Sequence, residues 1–145
     1  VICTPYRAKT NDPESIQYTV SIKDPHHVKI LPGGLVEIQN GPAGMMMVKR
    51  AVFKKLIKDY PEKEIKYHPN QNTFPKDLRI YNFWDCNFKD GIWKGEDIFF
   101  CDLAREAGFK VYANITSTIT HHGSFGYKGR YEDKFKMKQK NGTKN

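Results

Sequence analysis

Residues Gly95-Glu96-Asp97-Ile98-Phe99-Phe100-Cys101-Asp102-Leu103-Ala104-Arg105-Glu106-Ala107-Gly108, followed by Phe109-Lys110-Val111-Tyr112-Ala113, change their hydrophobic period within one short stretch. Phe99, Phe100, Leu103 and Ala107 share one broad face of a helix running from about Glu96 to Ala107. Gly108 stands where a helix needs a C-terminal cap, and 109–113 and 115–120 then read as short strands or extended chain. A helix feeding a strand in this way is half of an alternating α/β pattern.

Upstream, the same alternation continues. Residues 16–23 are β-branched and aromatic with partial alternation, and 35–40 alternate more cleanly, so both read as strands. His26-His27 and Pro32-Gly33-Gly34 mark the loop between them. Gly41-Pro42-Ala43-Gly44 breaks the second strand before the apolar run Met45-Met46-Met47-Val48. Ala51, Val52, Leu56 and Ile57, with cations on the other faces and Pro61 as the stop, describe an amphipathic helix from about Arg50 to Asp59. Residues 65–76 read as a surface loop, Leu78 to Trp84 as a strand, and Asp85 to Gly95 as a connection punctuated by Asp90-Gly91. The expected fold is an α/β domain with a mixed β-sheet flanked by helices, and ligand sites in such domains gather in loops beyond the strand ends. From Lys128 onward the chain is rich in lysine, so it is expected to fray or lie on the surface, with 132–145 a basic, flexible tail.

The 145 residues fit one domain, and 39% hydrophobic with 13% aromatic content is enough for a continuous core. Twenty-four Lys and Arg against 16 Asp and Glu give +8, which suits a polyanion: nucleic acid, an anionic membrane surface or the diphosphate of a sugar nucleotide. Cys3, Cys86 and Cys101 form an odd set without a CxxC pair, which points away from a disulfide framework or zinc ribbon and toward a reducing, cytoplasmic compartment. The sequons at Asn114 and Asn141 matter only after secretion, and no signal segment or membrane span is expected. The opening run Val1-Ile2-Cys3 reads as the end of a strand, so the chain is expected to be a piece of something longer.

Several residues could carry chemistry. Glu96-Asp97 places adjacent carboxylates at the positive end of a helix, where acidic residues also stabilise the helix itself by roughly 0.3–1 kcal/mol. Their chemical reading is that one carboxylate takes a proton from a hydroxyl while its neighbour holds another. Ile119-Thr120-His121-His122-Gly123 ends a strand with two histidines that point to opposite sides, so at most one faces a given site. No HExxH-like spacing accompanies them, and a self-contained zinc centre is not expected. Gly41 to Gly44 is either room for a sugar ring or an ordinary turn. Tyr81, Phe83, Trp84 and Trp93 gather around Asp90-Gly91, where they serve the core or stack on a pyranose. Tyr127-Lys128-Gly129-Arg130-Tyr131 offers cations and hydroxyls suited to a diphosphate.

The order of these pieces resembles the C-terminal, acceptor-side half of GT-A-fold glycosyltransferases, particularly the short transferase-like domains of phages, large viruses and bacteria. The matching features are Gly41-x-x-Gly44-Met-Met-Met-Val-Lys-Arg-x-Val-Phe, Asp90-Gly91-Ile-Trp, Gly95-Glu96-Asp97-x-x-Phe-Cys-x-x-Ala-Arg-x-x-Gly108, and His121-x-Gly123 followed by Tyr127-x-Gly129, spread over residues 36–131. The resemblance implies hexosyl transfer from a nucleotide-diphosphate sugar to a glycan or other hydroxyl acceptor, with residues 1–131 as the C-terminal part of the domain. It implies Asp97 as catalytic base and Glu96 beside it on acceptor or donor sugar. His121 would complete a manganese or magnesium site on the donor diphosphate. Gly41, Pro42, Ala43 and Gly44 would line the sugars, Trp93 and Gly95 would contact substrate, and Lys128 or Arg130 would meet phosphate oxygens.

The family's Asp-x-Asp motif and the nucleotide-binding strands before it have no counterpart in this sequence. They are expected immediately upstream and would supply the other metal ligands, which leaves the isolated chain inactive or nearly so. The competing class is a noncatalytic basic module that binds nucleic acid or acidic glycan through the lysine-rich tail. No recognised nucleic-acid motif supports it, so nucleic acid is not the expected partner.

Overall fold

The computed structural model describes residues 1–12, 16–22, 24, 27–66, 75, 77–89 and 91–135. In chain order its regular elements are β1 (Ile2–Cys3), β2 (Ile30–Leu31), β3 (Leu35–Ile38), β4 (Met46–Met47), α1 (Arg50–Asp59), β5 (Asn87–Lys89), β6 (Ile92–Lys94), α2 (Glu96–Glu106), β7 (Val111–Asn114), β8 (Ile119–His122) and β9 (Gly126–Gly129). Five of these strands form one mixed sheet in the order β2-β3-β7-β1-β4, while β5-β6 and β8-β9 are separate hairpins. β1 and β7 run parallel, and the other neighbours in the sheet are antiparallel. A parallel pair cannot be joined by a tight turn, and the chain between β1 and β7 accordingly makes the crossover that contains both helices.

Register explains which residues the sheet buries. Ala113 lies opposite both Cys3 and Val36, and Val111 opposite Ile38, so these side chains share one face. Each of the five is at most 3% exposed. Glu37, between the two buried residues of β3, points the other way and pairs with Lys110 at 2.8 Å. α2 serves two packing regions at once: Cys101 joins the sheet-side core, whereas Phe99, Phe100, Leu103 and Ala104 pack with Val52 and Leu56 of α1. Trp84 stacks on Phe100 with centroids 4.2 Å apart.

Both helices follow their apolar spacing. α1 buries Val52 and Leu56, one turn apart, and stops before Pro61. α2 begins after Gly95, and Gly108 follows it at φ +88°, a left-handed conformation that favours glycine. The Pro32-Gly33-Gly34 turn between β2 and β3 is present, as is the turn at Gly91 between β5 and β6. The mixed α/β arrangement expected from the sequence is therefore observed.

Other expectations need correction. Residues 16–22 form no continuous strand; they make single bridges at Tyr18 with Arg7 and at Ser21 with Asn40, while Tyr18, Val20 and Ile22 pack on the core. Leu78 to Trp84 makes one bridge, Tyr81 with Glu64, because Phe83 and Trp84 turn their rings into the helical layer rather than line a ladder. The run from Met45 is interrupted by a 3-10 turn at Ala43–Met45, and β4 keeps two residues, with Met45 and Met47 57% and 71% exposed. The chain does not fray from Lys128: Tyr131 is buried, Phe135 packs against the same core, and the Glu132 N–H donates to the Ile115 carbonyl. Lys23, His26, most of the 65–76 loop, Asp90 and residues 136–145 lie outside the described residues. Among the described residues no helix is long and apolar enough to cross a membrane.

Candidate functional site

Gly95 enters α2 in an extended conformation, and the first helical turn then carries Glu96 and Asp97. Asp97 Oδ1 accepts the Ile98 N–H at 2.8 Å, an interaction that fixes the carboxylate at the helix start. Asp97 lines a groove of about 280 Å³ together with Tyr18, Thr19, Ser21, Asn40 and Gly41. Glu96, the next carboxylate, is exposed.

His121 is held on a different element. Along β8 the side chains alternate, so His121 is half-buried and His122 exposed. Nδ1 of His121 lies 2.9 Å from the Arg7 carbonyl oxygen. Since a carbonyl only accepts, Nδ1 carries the proton in that bond and a neutral ring keeps its lone pair at Nε2. The ring also rests against Tyr6, with centroids 4.5 Å apart and planes inclined by 56°. These residues, with Gly44, Met45, Ile119 and Thr120, wall a second groove of about 300 Å³.

Asp97 and His121 thus border two neighbouring grooves rather than one. The Gly41–Gly44 loop contributes its first residue to the carboxylate groove and its last to the imidazole groove. Tyr6 joins them electrostatically. Burial pushes its phenol above the ordinary value, the negative charge of Asp97 adds to the shift, and Glu96 contributes further, against a backbone hydrogen bond from Gly44. A tyrosine in contact with the imidazole is therefore within electrostatic reach of both carboxylates.

The remaining sequence-derived candidates separate into two groups. Gly41 and Pro42 are buried, and a Cβ at Gly41 would collide with Cys3 Sγ and stand 2.8 Å from Ile38 Cδ1. That glycine has a packing reason. Gly44 is exposed, yet a Cβ there would lie 2.9 Å from Tyr6 Cε1 and 3.0 Å from its hydroxyl, so Gly44 makes room for Tyr6. Ala43 is exposed in the same turn. Trp93, 66% exposed, sits opposite Phe88 on the β5-β6 hairpin and lines neither groove. Lys128 faces Thr120 across the β8-β9 hairpin, on the side opposite the His121–Tyr127 pair. Arg130 is engaged by Glu132 at 3.1 Å and Asp133 at 3.2 Å. The structure does not bring these two cations to the grooves.

For a divalent ion, Nε2 of His121 has the orientation a ligand needs, its other nitrogen tied to a carbonyl. Among the described residues no group of three or more His, Cys, Asp or Glu stands together, so a complete metal centre would need ligands from elsewhere. Tyr6 and Asn40 escaped the sequence reading. The available signal for Tyr6 was its place just beyond a strand end, where α/β sites gather. Comparison with protein-family models, curated proteins and solved structures finds no match to this chain.

Proposed function

We propose that this chain is the acceptor-side part of a metal-dependent glycosyltransferase that moves a hexosyl group from a nucleotide-diphosphate sugar to a hydroxyl acceptor. The observation that supports the reading is the Tyr6 junction, where the imidazole of β8 rests against a phenol whose ionisation is raised by the charge at the acidic start of α2. In this reading the acceptor occupies the Asp97 groove. Oδ1 of Asp97 is held by the Ile98 N–H, and Oδ2 receives the proton of the attacking hydroxyl. The hydroxyl oxygen forms a bond to the anomeric carbon as the bond from that carbon to the phosphate oxygen breaks. Exposed Glu96 holds a second hydroxyl of the acceptor or donor sugar. His121 offers Nε2 toward the donor side, and a bound divalent ion would supply Lewis-acid stabilisation of the departing diphosphate. The Asp-x-Asp carboxylates and the nucleotide pocket belong, in this proposal, to a further segment joined to this chain.

The test joins that nucleotide-binding segment to residues 1–145 and supplies manganese with a panel of sugar nucleotides. Transfer or donor hydrolysis that needs both parts is the expected result. Turnover that survives Asp97→Asn at the wild-type rate would overturn the role of Asp97. Tight, steeply salt-dependent RNA binding by residues 1–145, lost on deleting 132–145, would favour the noncatalytic alternative.

A further inference from the structure

Tyr6 touches the imidazole with its ring and is joined to Arg7, whose carbonyl holds Nδ1. The segment is itself anchored, because the Thr19 N–H and Thr19 Oγ1 both donate to the Tyr6 carbonyl, at 3.1 and 3.2 Å. The ring also packs into the space that the absent Gly44 side chain leaves. Thus one dipeptide contacts His121 twice, once through a face and once through a hydrogen bond, and its position is fixed by the 18–21 segment and the Gly44 turn. His122, its neighbour in sequence, is exposed.

We propose that Tyr6 is the positioning residue of His121: its ring holds the imidazole in the orientation that keeps Nδ1–H on the Arg7 carbonyl and presents the Nε2 lone pair to the groove of Gly44 and Met45. This deepens the reading of His121 as a ligand, but it concerns only the ring's orientation. Without the aromatic face the imidazole is free to turn about its own axis, the Arg7 bond competes with water, and the tautomer is no longer fixed. Ligating histidines whose second nitrogen loses its partner typically bind metal about 10–100-fold more weakly.

The experiment uses residues 1–145 with nitrogen-15 labelling, at about pH 8.5, where an unperturbed imidazole is neutral. Long-range nitrogen–proton spectra read the tautomer of His121, and added Mn²⁺ alone reads access to Nε2 through broadening of the His121 ring signals. The wild type should show the Nδ1–H tautomer at His121. Tyr6→Ala should mix the tautomers and raise the Mn²⁺ concentration needed for half-broadening by about tenfold or more, as expected for a lost supporting contact. Tyr6→Phe, which keeps the ring, should retain the wild-type tautomer, and His122 should respond to neither change. If Tyr6→Ala leaves tautomer and Mn²⁺ response unchanged, the proposal is wrong. Should circular dichroism show Tyr6→Ala unfolded, Gly44→Ala displaces the ring instead and must give the same tautomer shift. A tautomer shift in Tyr6→Ala, together with wild-type His121 signals that Mn²⁺ never broadens, supports the positioning role while removing the metal reading of His121.

Discussion

At the residue scale, Asp97 carries the heaviest assignment. An amide at that position keeps an oxygen for the Ile98 N–H but cannot take a proton. Under the proposed transferase reading, with the nucleotide-binding segment joined, Asp97→Asn should lower kcat by about 10²–10⁴-fold with KM little changed, measured by steady-state transfer assays. Gly41 tests a different reading, in which the small-residue loop is built for packing. Gly41→Ala should destabilise the fold by about 1–3 kcal/mol in denaturant titrations, since its Cβ meets the buried Cys3 thiol. In a Cys3→Ala background the penalty should shrink, with a coupling of about 0.5–3 kcal/mol, because the obstructing sulfur is gone. That the carboxylate pair opens a helix and that His121 lies on a strand was legible from residue type and local period, whereas the roles proposed for them rest on the resemblance. Tyr6 was not, since its meaning comes from a ring contact with a residue more than a hundred positions away. Nor could the sequence indicate that Arg130 is occupied by its own near neighbours Glu132 and Asp133.

At the scale of elements, the two helices were readable to within a residue because their burial follows a local period, and Gly108 marked the end of α2. The irregular segments were not. The stretch from Ile16 packs Tyr18, Val20 and Ile22, each partly buried, against the core, yet it finds a partner only at isolated bridges; composition reports burial, while pairing depends on where the rest of the chain runs. Two substitutions on or beside α2 separate its cap from its core. Gly108→Ala forces a Cβ into left-handed backbone and should cost roughly 1–2 kcal/mol. Phe100→Ala removes a fully buried ring stacked on Trp84 and should cost about 3–5 kcal/mol. Chemical denaturation of both variants checks the order, and a Phe100→Ala cost below that of Gly108→Ala would contradict the placement of α2 at the meeting point of the two core regions.

At the scale of the whole molecule, every thiol and phenol among the described residues with a displaced ionisation is displaced in the same direction. Burial raises Cys3, Cys101, Tyr6, Tyr18, Tyr60 and Tyr131, so the fold resists forming six separate anions. The largest effect is at Cys3, only 1% exposed, where burial and then the neighbouring Cys101 push the thiol up to about 12. The unfolded chain releases that proton near the ordinary value of 9.0, whereas the native state holds it to about 12. Between those limits the native state binds more protons, so stability falls as pH rises. Over such a window of about three pH units, one thiol contributes a loss on the order of 4 kcal/mol, enough to dominate the alkaline limb of a small domain's stability. Denaturant midpoints should therefore hold up to about pH 9 and decline steeply beyond it. Cys3→Ala should start lower at neutral pH, because thiol packing is lost, yet decline less between about pH 9 and 12, so that its curve converges on that of the wild type. Parallel curves for the two proteins would mean that the Cys3 thiol ionises as freely in the folded chain as in the unfolded one, which its buried place on β1 against Gly41 argues against.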